Sequence, residues 1–265
     1  MHTVYCDGKD TPEQMVLSAI EKGMECIGFS AHSYVEFEKE CGIGNGDAAL
    51  YFDEITRLKD KYRSSIRIYC GIEQDDCSSR STDQYDYVIG SVHYIRIPVE
   101  KAPDRSPDFL KCDSSFIYIS VDDTPDELIF AAKEFFDNDY YALAQSYYEA
   151  LSHVVRKTDA DIIGHFDLVA KFNEKYRLFD ERDPRYTAAW RRAADALIPE
   201  NRIFEINTGA ISRGWRSVPY PSPFITDYLK SAGCRFILSS DSHCAENIGF
   251  GFKDIIIGEQ TGQRL

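Results

Sequence analysis

The chain has 265 residues, a net charge of −14, 28% charged and 43% hydrophobic residues, which suits one large domain with a well-buried core. The acidic balance argues against a protein that grips a nucleic-acid backbone, which needs clustered Lys and Arg, although bound cations can reverse the local field toward a small anion. No apolar run approaches the roughly 20 residues that span a bilayer, the start MHTVYCDGKD is too polar for a signal peptide, and eight cysteines without a CxxC pair point to a reduced, cytoplasmic protein.

Residues 1–90 alternate short apolar runs with amphipathic segments, the pattern of repeated β–α units. His2 opens the chain, ahead of Asp7. Thr11-Pro12-Glu13-Gln14 predicts a helix start, with Thr11 as N-cap, Pro12 at the first position and Gln14 closing a capping box. That helix runs to Gly23, and its partner strand, from Cys26, leads into His32. A second helix over 48–62 puts Leu50, Ile55 and Leu58 on one side. The strand at 66–72 then ends at Glu73, with Asp75 and Asp76 behind it as a solvated turn. The run at 87–92 ends at His93. Between 94 and 123 the pattern turns irregular, with Pro98, Pro103 and Pro107, and reads as an insertion or long loop.

Helices are expected at 125–136 and 140–157, and His153, inside the second, is assigned to a helix surface or structural role. A strand leads to His165, a helix follows at 186–198, a strand at 203–207, a helix at 223–232 and a strand at 235–239. Asp241 and His243 cap that last strand. No internal repeat or linker interrupts the chain, so 1–265 reads as a single domain. The fold class expected is α/β, as a closed or nearly closed barrel whose site lies at the C-terminal ends of the strands.

Five of the six histidines lie at strand-like ends or at the chain start. One histidine after a strand is most often a hydrogen-bonded structural residue. A set of imidazoles and carboxylates gathered at one barrel face is instead the ligand set of borderline divalent cations. Asp241 and His243, two residues apart on an extended segment, would point the same way. Glu73 is placed to bridge two cations. By its residues alone, Asp7 in Asp7-Gly8 fits a turn residue and a ligand equally.

Together the segments His2-Thr3-Val4-Tyr5-Cys6-Asp7-Gly8, Gly28-Phe29-Ser30-Ala31-His32-Ser33, Gly71-Ile72-Glu73, Gly90-Ser91-Val92-His93-Tyr94, Gly164-His165-Phe166-Asp167-Leu168, Asn207-Thr208-Gly209 and Ser240-Asp241-Ser242-His243 resemble the polymerase-and-histidinol-phosphatase (PHP) family of metal-dependent phosphoesterases. Ser91-Val92-His93-Tyr94, with Val121-Asp122 and Tyr140-Tyr141, resembles its histidinol-phosphate phosphatase branch. The resemblance implies a distorted (β/α)7 barrel and up to three divalent ions: zinc, manganese or iron. It assigns His2, Glu73 and Asp241 to the first metal, Glu73, His93 and His165 to the second, and Asp7, His32 and His243 to the third. Two departures stand out. The family opens with a His-x-His pair after a strand, and only the second histidine, His2, is present; the sequence as it stands either lacks a short N-terminal segment or leaves the first metal one ligand short. Ala31 stands where many members carry Asp.

The implied reaction is hydrolysis of a small phosphorylated substrate, histidinol phosphate, by metal-activated water attacking in line, with Glu73, Asp241 and His243 as the catalytic set. No Cys-x5-Arg nucleophile motif is present. Arg213 and Lys171 are the candidate substrate-binding cations for the phosphate, and Arg216 is a third. Another phosphomonoester as substrate, or a metal-binding protein without turnover, remain the alternatives.

Overall fold

Helix α1 (Pro12–Glu21) starts where its sequence predicts. Thr11 Oγ1 accepts from Gln14 N at 3.3 Å, and Gln14 Oε1 accepts from Thr11 N at 2.9 Å, so two donors that a helix start leaves orphaned find partners. The computed structural model describes residues 1–38, 42–101, 107 and 109–255. Strand β1 (Cys26–His32), helix α2 (Asn45–Tyr62) and strands β2 (Arg67–Asp75) and β3 (Tyr87–Ser91) follow. Strands β4 (Tyr94–Pro98), β5 (Lys111–Cys112) and β6 (Phe116–Ser120) come next, then helices α3 (Pro125–Phe135), α4 (Tyr140–Leu151) and α5 (Val154–Thr158). The remainder is β7 (Ile162–Ile163), α6 (Asn173–Tyr176), α7 (Pro184–Leu197), β8 (Ile203–Asn207), α8 (Gly209–Ser212), α9 (Pro223–Ser231) and β9 (Arg235–Ser239).

Six of these strands form one parallel sheet in the order β1-β2-β3-β7-β8-β9. The sheet curls. Ile89 of β3, Ile162 of β7 and Ile237 of β9 pack into one cluster, although β3 and β9 are not neighbours in the sheet. Tyr87 at the start of β3 reaches across the interior, its hydroxyl donating to Phe29 O at 2.9 Å. Any side chain at Gly28 or Gly71 would overlap that tyrosine, so these glycines make the crossing possible. The start of the chain bridges β1 and the end of β9. Ser30 N donates to Met1 O at 3.0 Å, and His2 N donates to Ser242 O at 2.9 Å. The expected α/β barrel class is thus realised as a curled half-barrel, with six parallel strands among the described residues rather than seven.

Two apolar cores flank the sheet. One joins α1 and α2 to β1 and β2 through Met15, Phe29, Tyr51, Ile55 and Leu58. The larger lies beneath α3, α4 and α7 and includes Ile95, Ile117, Tyr147, Phe166 and Trp190. Among the described residues no helix is long and apolar enough to cross a membrane, and no disulfide joins the cysteines.

Two sequence expectations change. The segment 94–123, read as irregular, holds a three-stranded antiparallel sheet in the order β4-β6-β5. Ile95 and Ile97 face Ile119 and Ile117 across it; the aromatic and β-branched runs 94–97 and 116–119 carry a strand signal, which the prolines and mixed charges around them mask as a loop. The helix expected over 140–157 breaks at Ser152–His153 into α4 and α5. His153 accordingly sits at a surface N-cap, its Nε2 3.4 Å from a Glu149 carboxylate oxygen.

Candidate metal centre

Parallel strands deliver their C-terminal ends to one face. His32 ends β1 and pairs in register with Glu73 on β2. His93 lies two residues past β3, and His165 two past β7. Asp241 and His243 follow β9, and the bridging of the chain start places His2 beside them. The eight expected side chains therefore meet at one end of the half-barrel.

Glu73 is the hub. Its Oε1 lies 2.8 Å from His165 Nε2 and 3.3 Å from His93 Nε2, and its Oε2 lies 3.3 Å from His2 Nε2 and 3.6 Å from His32 Nδ1. His2 Nε2 is also 3.1 Å from Asp241 Oδ1. Asp7 sits on the far side, with Oδ2 3.0 Å from His243 Nε2 and 3.7 Å from His32 Nε2. Among the described residues four groups offer ligand atoms that all lie within 4.8 Å of one another, and three of them converge here: His2, Glu73 and Asp241; His32, Glu73 and His93; and His2, Asp7, His32 and His243; the fourth, Asp75, Asp76 and Cys77, has Asp76 paired with Arg96 and Lys157. The grouping differs from the implied one in two respects. His32 joins Glu73 and His93, where His165 was expected, with His165 adjoining through Glu73. His2 also faces the Asp7 group.

Asp241 reaches the cluster differently from the expectation. Its backbone is left-handed, φ 45°, a conformation that Asp tolerates better than most residues. A turn past the strand end, rather than strand alternation, aims Asp241 and His243 together. Gly209 leaves room for that turn, since a Cβ there would lie 2.7 Å from Asp241 Oδ2.

The donor set fits divalent cations. Burial disfavours the charged form of Glu73, yet His32, His165, His2 and His93 outweigh it and hold the carboxyl well below the usual range. Asp241 is likewise held well below, against its burial, by Arg213 and His2. Burial and the neighbouring His2 push His32 down to about 4, which leaves a neutral imidazole, the form that ligates. His2 and His93, despite burial, are raised by the carboxylates beside them, Asp241 for His2 and Asp75 then Glu73 for His93. Among these ligands' carboxylates, Arg213 on Asp241 is the nearest side-chain cation other than histidine. Negative charge, converging lone pairs and imidazoles make a site for positive ions.

A cleft of about 310 Å³ opens over this cluster, and Arg213 and Lys171 both line it. Arg213 Nη2 donates to Asp241 Oδ2 at 2.9 Å and Nη1 to Asp241 O at 3.0 Å. Lys171 Nζ donates to Asp122 O at 2.5 Å and Oδ2 at 3.2 Å. Glu38, Tyr94, Asp122 and Asp123 form more of the wall. Arg216 does not belong to the cleft. It is buried against Asp167, with Nη1 3.5 Å from Oδ2, and donates to Ser222 Oγ at 2.9 Å, so it ties loops together behind the site.

Asp75 and Asp76 also correct the expectation. Neither is a solvated turn, since they are 4% and 7% exposed. Asp76 pairs with Lys157 at 2.7 Å and Arg96 at 3.0 Å, partners far away in sequence. Glu205 went unremarked in the sequence, although an acidic residue inside the apolar run 203–207 was a signal. Its Oε2 accepts from His165 N at 2.7 Å and from Asn207 Nδ2 at 3.1 Å.

The crystal structure of hisK from Listeria monocytogenes matches this fold with a TM-score of 0.78 at 19% identity, over 96% of this chain and 98% of that one. The histidinol phosphate phosphatase of Lactococcus lactis, crystallised with zinc, L-histidinol and phosphate, matches with a TM-score of 0.62 at 20% identity, over 92% and 85%. The histidinol-phosphatase of Bacillus subtilis is 23% identical over 273 residues, which cover 96% of this chain and 95% of that protein. The PHP domain family model matches residues 1–209, which span every candidate ligand up to His165 and the whole curled sheet through β8. The chain belongs to the PHP domain family.

Proposed function

We propose that the protein is a metal-dependent phosphomonoesterase that hydrolyses histidinol phosphate to histidinol and phosphate, in a cytoplasmic setting. Zinc, manganese or iron, up to three ions, would be held by His2, Glu73 and Asp241, by Glu73, His93 and His165, and by Asp7, His32 and His243. Such ions, when bound, bind phosphate oxygens, lower the pKa of water and neutralise the leaving oxygen. Glu73, Asp241 and His243 form the catalytic set because they fix that charge against the phosphate. Arg213, anchored through Asp241, offers a remaining guanidinium N–H to a phosphate oxygen, and Lys171, tethered to Asp122, offers a second cation in the same cleft. Asp122, Asp123 and Glu38 line the same cleft, Asp122 paired with Lys171 and Glu38 with Lys111, and are the acidic groups for the amine of a phosphorylated amino alcohol, with Tyr94 as an aromatic neighbour for its imidazole.

The observation that carries this reading is the meeting of eight ligand-type side chains beneath a cleft that also holds three cationic side chains, Lys111, Lys171 and Arg213. The relatives named for histidinol phosphate hydrolysis support the choice of substrate. The test is phosphate release from a panel of phosphorylated metabolites, with manganese, zinc or iron added and the metal content measured alongside. A specificity constant for histidinol phosphate well above those for sugar and nucleotide phosphates is expected. Equal or better turnover of another phosphomonoester would reassign the substrate, and no turnover of any would leave a metal-binding protein.

A further inference from the structure

His93 is gripped at both ring nitrogens. Its Nε2 faces Glu73 Oε1 at 3.3 Å, and its Nδ1 lies 2.9 Å from Asp75 Oδ2. The two carboxylates belong to the same strand, β2, two residues apart, so they share one face of it. Asp75 Oδ2 also accepts from the His93 backbone N at 3.0 Å. Both the ring and the backbone of His93 are thus referenced to one oxygen. Asp75 is itself fixed, with Oδ1 accepting from Cys77 N at 2.8 Å and its own N donating to Ser33 Oγ at 3.0 Å. The cations nearby, Arg96 and Lys157, are paired with Asp76 instead. Among the described residues, His93 is the ion partner of Asp75.

We propose that Asp75 is the positioning residue of the metal centre: it holds the proton of His93 on Nδ1 so that the Nε2 lone pair faces the Glu73 cluster. A neutral imidazole carries a single N–H, and the hydrogen bond made by one nitrogen decides which lone pair the other presents. A carboxylate can only accept, so at Nδ1 it enforces the N–H there and raises the basicity of Nε2 as a ligand. This rests on the metal-dependent reading above but concerns no step of hydrolysis.

Asp75→Asn is the informative change. An amide has one acceptor oxygen, so its NH2 group must meet either Cys77 N or the N–H groups of His93, and in either orientation the carboxylate charge that raises the basicity of Nε2 is lost. Zinc affinity, measured by competition with a chromophoric chelator, is expected to fall about 10–100-fold, and kcat is expected to fall with it. Asp76→Asn is the control. It removes an equally buried carboxylate that does not touch His93, so it should lower thermal stability and leave zinc affinity unchanged. The second readout is ¹⁵N and ¹H NMR of the zinc-loaded protein, in which His93 Nδ1 should carry a slowly exchanging, low-field proton that Asp75→Asn shifts or abolishes. An unprotonated His93 Nδ1 in the zinc-loaded native protein would overturn the inference even if the variant fails to fold. So would unchanged zinc affinity in a folded Asp75→Asn protein. Failure of the parent reading looks different: the native protein would bind no zinc, or bind it and release no phosphate.

Discussion

Replacing Glu73 by Gln tests the architecture of the centre most directly, because it conserves shape and alters only charge and donor pattern. Glu73 belongs to two of the three ligand groups, whereas the group of His2, Asp7, His32 and His243 does without it. Without the carboxylate, the first group keeps His2 and Asp241 and the second keeps imidazoles alone. A stable site needs three or four protein ligands, so the bound metal should drop from the proposed maximum of three ions to about one. Asp7→Asn should behave differently, costing at most one ion, because Asp7 serves a single group that still keeps His2, His32 and His243. Partners that merely orient a ligand cost 10–100-fold when lost; removal of a shared ligand should exceed that, lowering kcat/KM for histidinol phosphate by at least about 10²-fold, or roughly 2.7 kcal/mol. Elemental analysis of dialysed protein and phosphate release under matched metal give the two readouts. If E73Q retains full metal content, or loses no more than Asp7→Asn does, Glu73 does not bridge two sites and the reasoning fails.

Arg213→Ala should lower kcat/KM about 10–100-fold, as expected for a charge-assisted bond worth roughly 1.5–3 kcal/mol, and Arg213→Lys should recover part of it because charge returns without the fork; steady-state kinetics decide, and full activity in R213A would remove Arg213 from phosphate binding. Burial lifts Glu127 to about 7, against the hydrogen bond from Ser120 N. The folded state therefore holds a proton that the unfolded chain releases, and stability is lost as pH rises from about 4.5 through 7, by about 3 kcal/mol at 1.36 kcal/mol per pKa unit. Glu127→Gln should flatten that stretch of the melting temperature against pH, and an unchanged slope would refute the assignment. Arg216→Met strips a cation from the buried Asp167 and should cost roughly 3–5 kcal/mol, seen as a lower denaturant midpoint; a midpoint within error of the native one would show that Ser222 alone satisfies Asp167.

Much of this protein was legible from its residue order. Strands and helices followed from hydrophobic period and caps, as at Thr11 and Gln14, because those signals act within a few residues. The ligands were legible too, since a barrel sends strand ends to one face and His32, Glu73, His93, His165, Asp241 and His243 all stand there. Tertiary structure decided what depends on contacts between segments distant along the chain. It made Asp76 a buried ion-pair partner rather than a turn residue, because Arg96 and Lys157 arrive from other elements. It set Asp75 against His93, took Arg216 out of the cleft, and grouped His32 with Glu73 and His93. It also set a small sheet within 94–123, pairing Ile95 and Ile97 with Ile119 and Ile117 from two separate runs, a pairing that neither run specifies alone. Residue types at strand ends name the chemistry, but only folding sets which lone pair meets which neighbour, because those separations are fixed by the curl of the sheet and the packing behind it.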